Sequence, residues 1–145
     1  MNYPTGVKHL TKLKQQPKQN KYKNQKTIVD GITFDSKAEA AYYYQLKQQR
    51  ITNFKMQESF VIHDAFSLNG KRYQAIKYKP DFTFYDGEKL VKVVDVKGKR
   101  TADFNIKAKM FASRYGIAIT LAMYDYKNKL FDEITAQEEL RVKDS

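Results

Sequence analysis

A chain of 145 residues, 41% hydrophobic and 14% aromatic, is sized for one domain and is too apolar to stay unfolded. It has no cysteine, which excludes disulfide scaffolds and cysteine-ligated zinc. No run approaches ~18 consecutive apolar residues and no apolar leader opens the chain, so a soluble, cytoplasmic protein is expected. The net charge is +11 and uneven. Seven lysines and no acid fall within residues 1–29; of the 27 basic residues, 20 remain to face 16 acids, or +4, over residues 30–145. Such an arm on a mildly basic domain suggests a polyanion partner, most simply nucleic acid. A membrane surface is not expected, because the arm lacks an apolar stripe.

Residues 1–27 read as a flexible basic arm, broken by Pro4 and Pro17, and residues 28–145 as the folded domain. "TIVDGITF" (27–34) predicts a short strand pair around Asp30-Gly31. Ser36 then caps a first helix from about Lys37 to Gln49. "MQESFVIHDAF" and "KRYQAIKY" are strand-like and joined around Asn69-Gly70. Strands over 81–85 and 89–97 follow. A second helix over Asp103–Tyr115 carries Phe104, Ala108, Phe111, Ala112 and Tyr115 on one face, with Gly116 as its stop. "IAITLAMYD" (117–125) reads as a buried strand, and Thr135 with Glu138 as the opening of a short last helix. The order gives an α/β sandwich around a mixed sheet.

The chemistry concentrates in "KPDFTFYDGEKLVKVVDVKGK" (79–99). Asp95 and Lys97 end an almost wholly apolar strand, where alternation puts both on one face. Burying these charges is costly unless they are paired or bind an ion. Asp81 opens the preceding strand, so a hairpin can bring it beside Asp95. Two convergent carboxylates make a hard-oxygen site suited to Mg²⁺ or Mn²⁺. Without a cation, two ionised carboxylates should repel. A two-residue turn at Asp86-Gly87 would instead place Asp81 opposite Lys92 and on the wrong face, so a longer loop or a bulge is required. Glu39 fits a capping box with Ser36, and its helix face also points it toward the sheet.

The helix glutamate Glu39, Pro80-Asp81, Asp95-Val96-Lys97 and a following lysine-bearing helix together resemble the PD-(D/E)xK nuclease superfamily. "FDSKAEAAYYYQLK", "YKPDF" and "VVDVKGKRTADFNIKAKMF" are similar to a small phage-encoded branch of unassigned function. The resemblance spans residues 30–125. It implies a restriction-endonuclease-like core, a mixed central sheet flanked by helices in the order α-β-β-β-α-β, and Mg²⁺-dependent hydrolysis of phosphodiesters. By it, Asp81 and Asp95 are metal ligands together with the Val96 carbonyl, Lys97 positions water and Glu39 is an accessory ligand.

Lys99, Arg100, Lys107 and Lys109 cluster beyond the triplet, where they could meet phosphates flanking a scissile bond; Lys21, Lys23 and Lys26 belong to the arm. Gln57 and Glu58 read as strand residues after the first helix, with Glu58 solvated. His63-Asp64 reads as loop or strand edge. In Tyr42-Tyr43-Tyr44, at most one ring is expected to face the sheet directly. No phosphate loop, nucleophile elbow or Cys/His finger is present. The expected function is therefore a Mg²⁺- or Mn²⁺-dependent DNA endonuclease, structure- or junction-specific given its size and arm. For a phage protein, its setting is the host cytoplasm. The alternative is a non-catalytic DNA- or protein-binding module on the same fold, a replication accessory or an inhibitor of host defence. DNA is the expected partner, and a homodimer is left open.

Overall fold

The computed structural model describes residues 26–97 and 101–136. These fall into two units that divide between Lys37 and Ala38. In the first, Thr27–Val29 (β1) and Ile32–Phe34 (β2) pair antiparallel, with Thr27 opposite Phe34. Asp30 and Gly31 take φ of 51° and 74°, the paired positive angles of a type I′ turn.

The second unit is mixed α/β. Helix α1 (Lys37–Gln48) begins at the division, and β3 (Phe54–Met56) follows it. The chain continues through β4 (Phe60–His63), β5 (Phe66–Leu68), β6 (Lys71–Tyr73) and β7 (Ile76–Tyr78). Then come β8 (Phe82–Asp86), β9 (Lys89–Lys97), α2 (Ala102–Tyr115), β10 (Ile119–Asp125) and β11 (Leu130–Thr135). Five strands form one sheet in the order β11-β10-β9-β8-β3. Only β9 and β10 run parallel in it, and α2 lies in their connection, as a parallel crossover requires. Thr101 accepts the Phe104 N–H at the start of α2, and Gly116 closes it in the left-handed region at φ 71°.

Alternation along β8 and β9 sorts the core. Phe82, Phe84 and Val94 share one set of positions; Thr83, Val93 and Asp95 share the other. Tyr42 of α1 packs on Phe82 at 4.9 Å and on Phe131 at 5.1 Å. Val93 instead joins Phe104, Ala108 and Phe111 of α2, Ile119 and Leu121 of β10, and Ile62 and Tyr78. Tyr43 is buried as well, edge-on to Phe54, so two rings of the tyrosine run pack inward where one was expected; Tyr44 is exposed.

Strands β4 to β7 form one long ribbon. Phe60 pairs with Tyr78, a bulge at Ile62 shifts the register, and His63 opposite Ile76 leads on to Phe66 opposite Tyr73. The ribbon turns at Asn69-Gly70, again with two positive φ. Its base is tied to α2 by the Tyr115 hydroxyl, which donates to the Val61 carbonyl, and by Arg114, which donates to Asp64 at 2.8 Å. His63 and Asp64 therefore lie at the end of a strand, as expected.

Two expectations need correction. "LFDEIT" forms strand β11, where no strand was expected; Thr135 ends it and the helical Ala136 follows, as the expected helix start requires, while Glu138 lies outside the described residues. Gln57 and Glu58 sit in the link between β3 and β4, because Gln57 takes a left-handed φ of 55° that breaks the strand. Glu58 is also tied rather than solvated: the Thr83 hydroxyl donates to it at 3.0 Å and the Tyr85 hydroxyl donates to the same oxygen.

Candidate functional site

The pairing of a single residue, Val91, decides whether the two acids meet. The turn between β8 and β9 is Gly87-Glu88, because Asp86 pairs with Lys89. That register alone would carry Asp81 opposite Val94. A bulge leaves Val91 without a partner, Phe84 pairs with Lys92, and Phe82 pairs with Val94. Continued by one residue, the shifted register puts Asp81 beside Asp95. The condition set by the sequence is thus met by a bulge after a tight turn.

The carboxylates are 8% and 4% exposed, and Asp81 is hydrogen-bonded to Asp95. A bond between two carboxyl groups needs a proton on one of them. Burial pushes Asp81 up to about 9, with the charge of Asp95, the bond to it and the charge of Glu39 adding to the rise. The Val96 N–H, which donates to Asp81 Oδ2 at 2.7 Å, opposes it. Burial and the neighbouring charges thus favour the protonated form of Asp81, which relieves the expected repulsion.

Each acid is also held from outside the hairpin. The Tyr78 hydroxyl donates to Asp95 Oδ2 at 2.5 Å, and burial drives that phenol far above its usual range. Gln57 Nε2 donates to Asp81 Oδ1 at 3.1 Å, and the Gln57 N–H donates to the Asp81 carbonyl. A glutamine in the left-handed region is uncommon, and here the strained backbone aims a side chain at a buried acid. Lys97 places its ammonium 3.6 Å from Asp95 Oδ1 and 5.0 Å from the Phe104 ring centre.

These groups open onto a cleft of about 440 Å³, lined by Glu39, Asp81, Asp95, Val96 and Lys97. Lys107 lines it too and pairs with Asp103 at 3.4 Å; Lys109 is exposed on α2 and does not line it. Lys26 is exposed before β1, while Lys21, Lys23, Lys99 and Arg100 lie outside the described residues. Lys77, Tyr78, Lys79 and Thr101 also line the cleft and were not singled out from sequence. Their signal was "IKYKPD", two lysines and a phenol directly before Pro80-Asp81.

Asp81 and Asp95 fit a divalent ion, since they are hard oxygen donors whose buried charge is now relieved by a proton. Glu39 faces the same cleft from α1, but no three Asp, Glu, His or Cys side chains among the described residues gather into a set that could hold a metal. No helix among the described residues is long and apolar enough to cross a membrane. No curated protein and no solved structure matches the chain. A family model described as "Protein of unknown function (DUF1064)" matches residues 19–128, and the chain belongs to that family.

Proposed function

We propose that the protein is a metal-dependent DNA endonuclease with a restriction-endonuclease-like core. The observation that carries this reading is the meeting of Asp81 and Asp95 in one lysine-lined cleft. Asp81 and Asp95 would hold the ion, with the Val96 carbonyl and Glu39 beside them. The ion, when bound, activates water and neutralises charge on the phosphate. Tyr78 and Gln57 keep the two carboxylates oriented by donating to them. Lys97 sets a positive charge where the phosphate becomes more negative. Lys77, Lys79 and Lys107 attract the flanking phosphates. In the balanced reaction a water oxygen bonds to phosphorus, one ester P–O bond breaks, and the leaving oxygen takes up a proton.

A second reading, a non-catalytic nucleic-acid- or protein-binding module, draws support from the two-carboxylate count. One assay separates them: linear, branched and single-stranded DNAs are incubated with the protein and Mg²⁺ or Mn²⁺. Cleavage that disappears in Asp95→Ala supports the nuclease. Tight binding without cleavage under either ion supports the module.

A further inference from the structure

The 60–78 ribbon leaves the core halfway along its length. Its base is buried at Ile62 and Tyr78, but both strands of its outer half, β5 and β6, are exposed at every residue. A lone exposed apolar side chain needs no explanation. Here Phe66 (41% exposed), Leu68 (57%) and Tyr73 (37%) share one hairpin, with Ile76 exposed just below it. The rings are ordered against one another. Phe66 and Tyr73 stack with centres 4.7 Å apart and planes 7° from parallel, and His63 sits edge-on to Phe66 at 5.6 Å. The Lys71 ammonium lies 5.1 Å from the Tyr73 ring centre. Residues 65–80 contain Lys71, Arg72, Lys77 and Lys79 and no acid. Lys77 and Lys79 also line the cleft, so basic side chains stand both at the ribbon tip and at the site, with Asp64, paired to Arg114, between them.

Stacked aromatics flanked by basic side chains suit single-stranded nucleic acid, because every base has a face to stack and every nucleotide a charge to meet. An acidic protein partner would use the lysines but has no matching need for flat, ordered rings. We infer that the outer ribbon is a binding site for unpaired DNA, with bases stacking on Phe66 and Tyr73 and phosphates meeting Lys71 and Arg72. The inference deepens the nuclease reading, and rests on it only in that the bound strand continues past Lys77 and Lys79 into the cleft. The substrate class so defined is a duplex with an unpaired flank, such as a fork or branch.

The test measures fluorescence anisotropy of the full chain with labelled single-stranded, blunt duplex and forked DNAs, in EDTA so that nothing is cleaved. The forked and single-stranded DNAs should bind tighter than the blunt duplex. Phe66→Ala and Tyr73→Ala should each weaken them about 5- to 100-fold and leave the blunt duplex unchanged. Tyr73→Phe keeps the ring and should bind as the wild type. Lys71→Ala with Arg72→Ala should weaken all three DNAs and lower the salt slope by roughly 0.9 for each phosphate that is no longer neutralised. Equal binding of all DNAs, unchanged binding by the ring variants, or a loss in Tyr73→Phe as large as in Tyr73→Ala overturns the inference. So does a wild-type dimer that the ring variants convert to monomer by sedimentation, which would assign the patch to a second copy. Ring-dependent binding with no cleavage in Mg²⁺ upholds the ribbon and sinks the nuclease; cleavage without ring-dependent binding does the reverse.

Discussion

Two hairpins of this protein use the same devices to opposite ends. The one from Phe82 to Lys97 has a tight turn and a bulge at Val91; the one from Phe60 to Tyr78 has a tight turn and a bulge at Ile62. The first is buried toward its base at Phe82, Thr83, Val93, Val94 and Asp95, the second exposed over its whole outer half. Burial makes each polar group in the first expensive, so its acids carry several partners and Asp81 is pushed toward its protonated form. In the second, charge is cheap and rings are wet. The difference separates a place for chemistry from a place for binding.

The largest way to test that separation is Asp95→Ala, which should lower metal-dependent cleavage by at least about 10³-fold, on the scale of losing a principal charge-stabilising group. Circular dichroism should match the wild type. Unchanged turnover in a folded variant removes the site assignment.

Next comes one chemical change made in both places. Phe111 is fully buried under the sheet, and Phe111→Ala should cost about 3–5 kcal/mol in urea unfolding. Phe66→Ala, at the ribbon tip, should cost about 0.5 kcal/mol or less. Similar losses at both would mean that the ribbon is part of the stable core.

Asp81→Asn should raise stability at pH 8 by about 2 kcal/mol, roughly 8 °C in melting temperature, because amide replaces a buried acid. The sign follows from proton binding. Between the ordinary carboxylate range and about 9, folded Asp81 keeps a proton that the unfolded chain has lost. The wild type therefore loses stability as pH rises through that window, and levels off above it. Asp81→Asn should flatten the slope. Mg²⁺ or Mn²⁺ should raise the wild-type melting temperature at pH 8 and leave the variant's unchanged. A melting temperature flat from pH 5 to 9 in the wild type would falsify the upward shift of Asp81.

The smallest effect is outside both hairpins. Deleting residues 1–26 should reduce the salt dependence of DNA binding without abolishing cleavage, since seven lysines go with it. An unchanged slope would leave binding to residues 27–145 alone.

Local features were legible in the sequence where one residue type is nearly forced. Asp30-Gly31 and Asn69-Gly70 needed positive φ at both turn positions, and Gly116 needed it at the end of α2. The apolar run of β9 and the face of α2 announced their burial. What stayed hidden was long-range or a matter of phase. Nothing in "DGEKLV" says that the turn falls on Gly87-Glu88 or that Val91 is the residue left over. β11 carries Asp132 and Glu133 side by side, which breaks the strand pattern; only pairing with β10 makes it a strand. Gln57 and Tyr78 reach the acids from 24 and 17 residues away, distances over which no motif speaks.

The bulge at Val91 also changes what it means for a relative of this chain to keep its site. Removing that one valine would touch no acid, no lysine and no glycine, and a search by motif would score the shortened chain as intact. The geometry would agree, because the pair of Tyr85 with Leu90 would then be followed directly by that of Phe84 with Lys92, and Asp81 would still fall opposite Asp95. Keeping the valine and pairing it would instead put Asp81 opposite Val94 and turn the two carboxylates to opposite faces. The identity of the site is stored in which residue of the ladder is left out of the pairing, a choice that the motif residues do not spell.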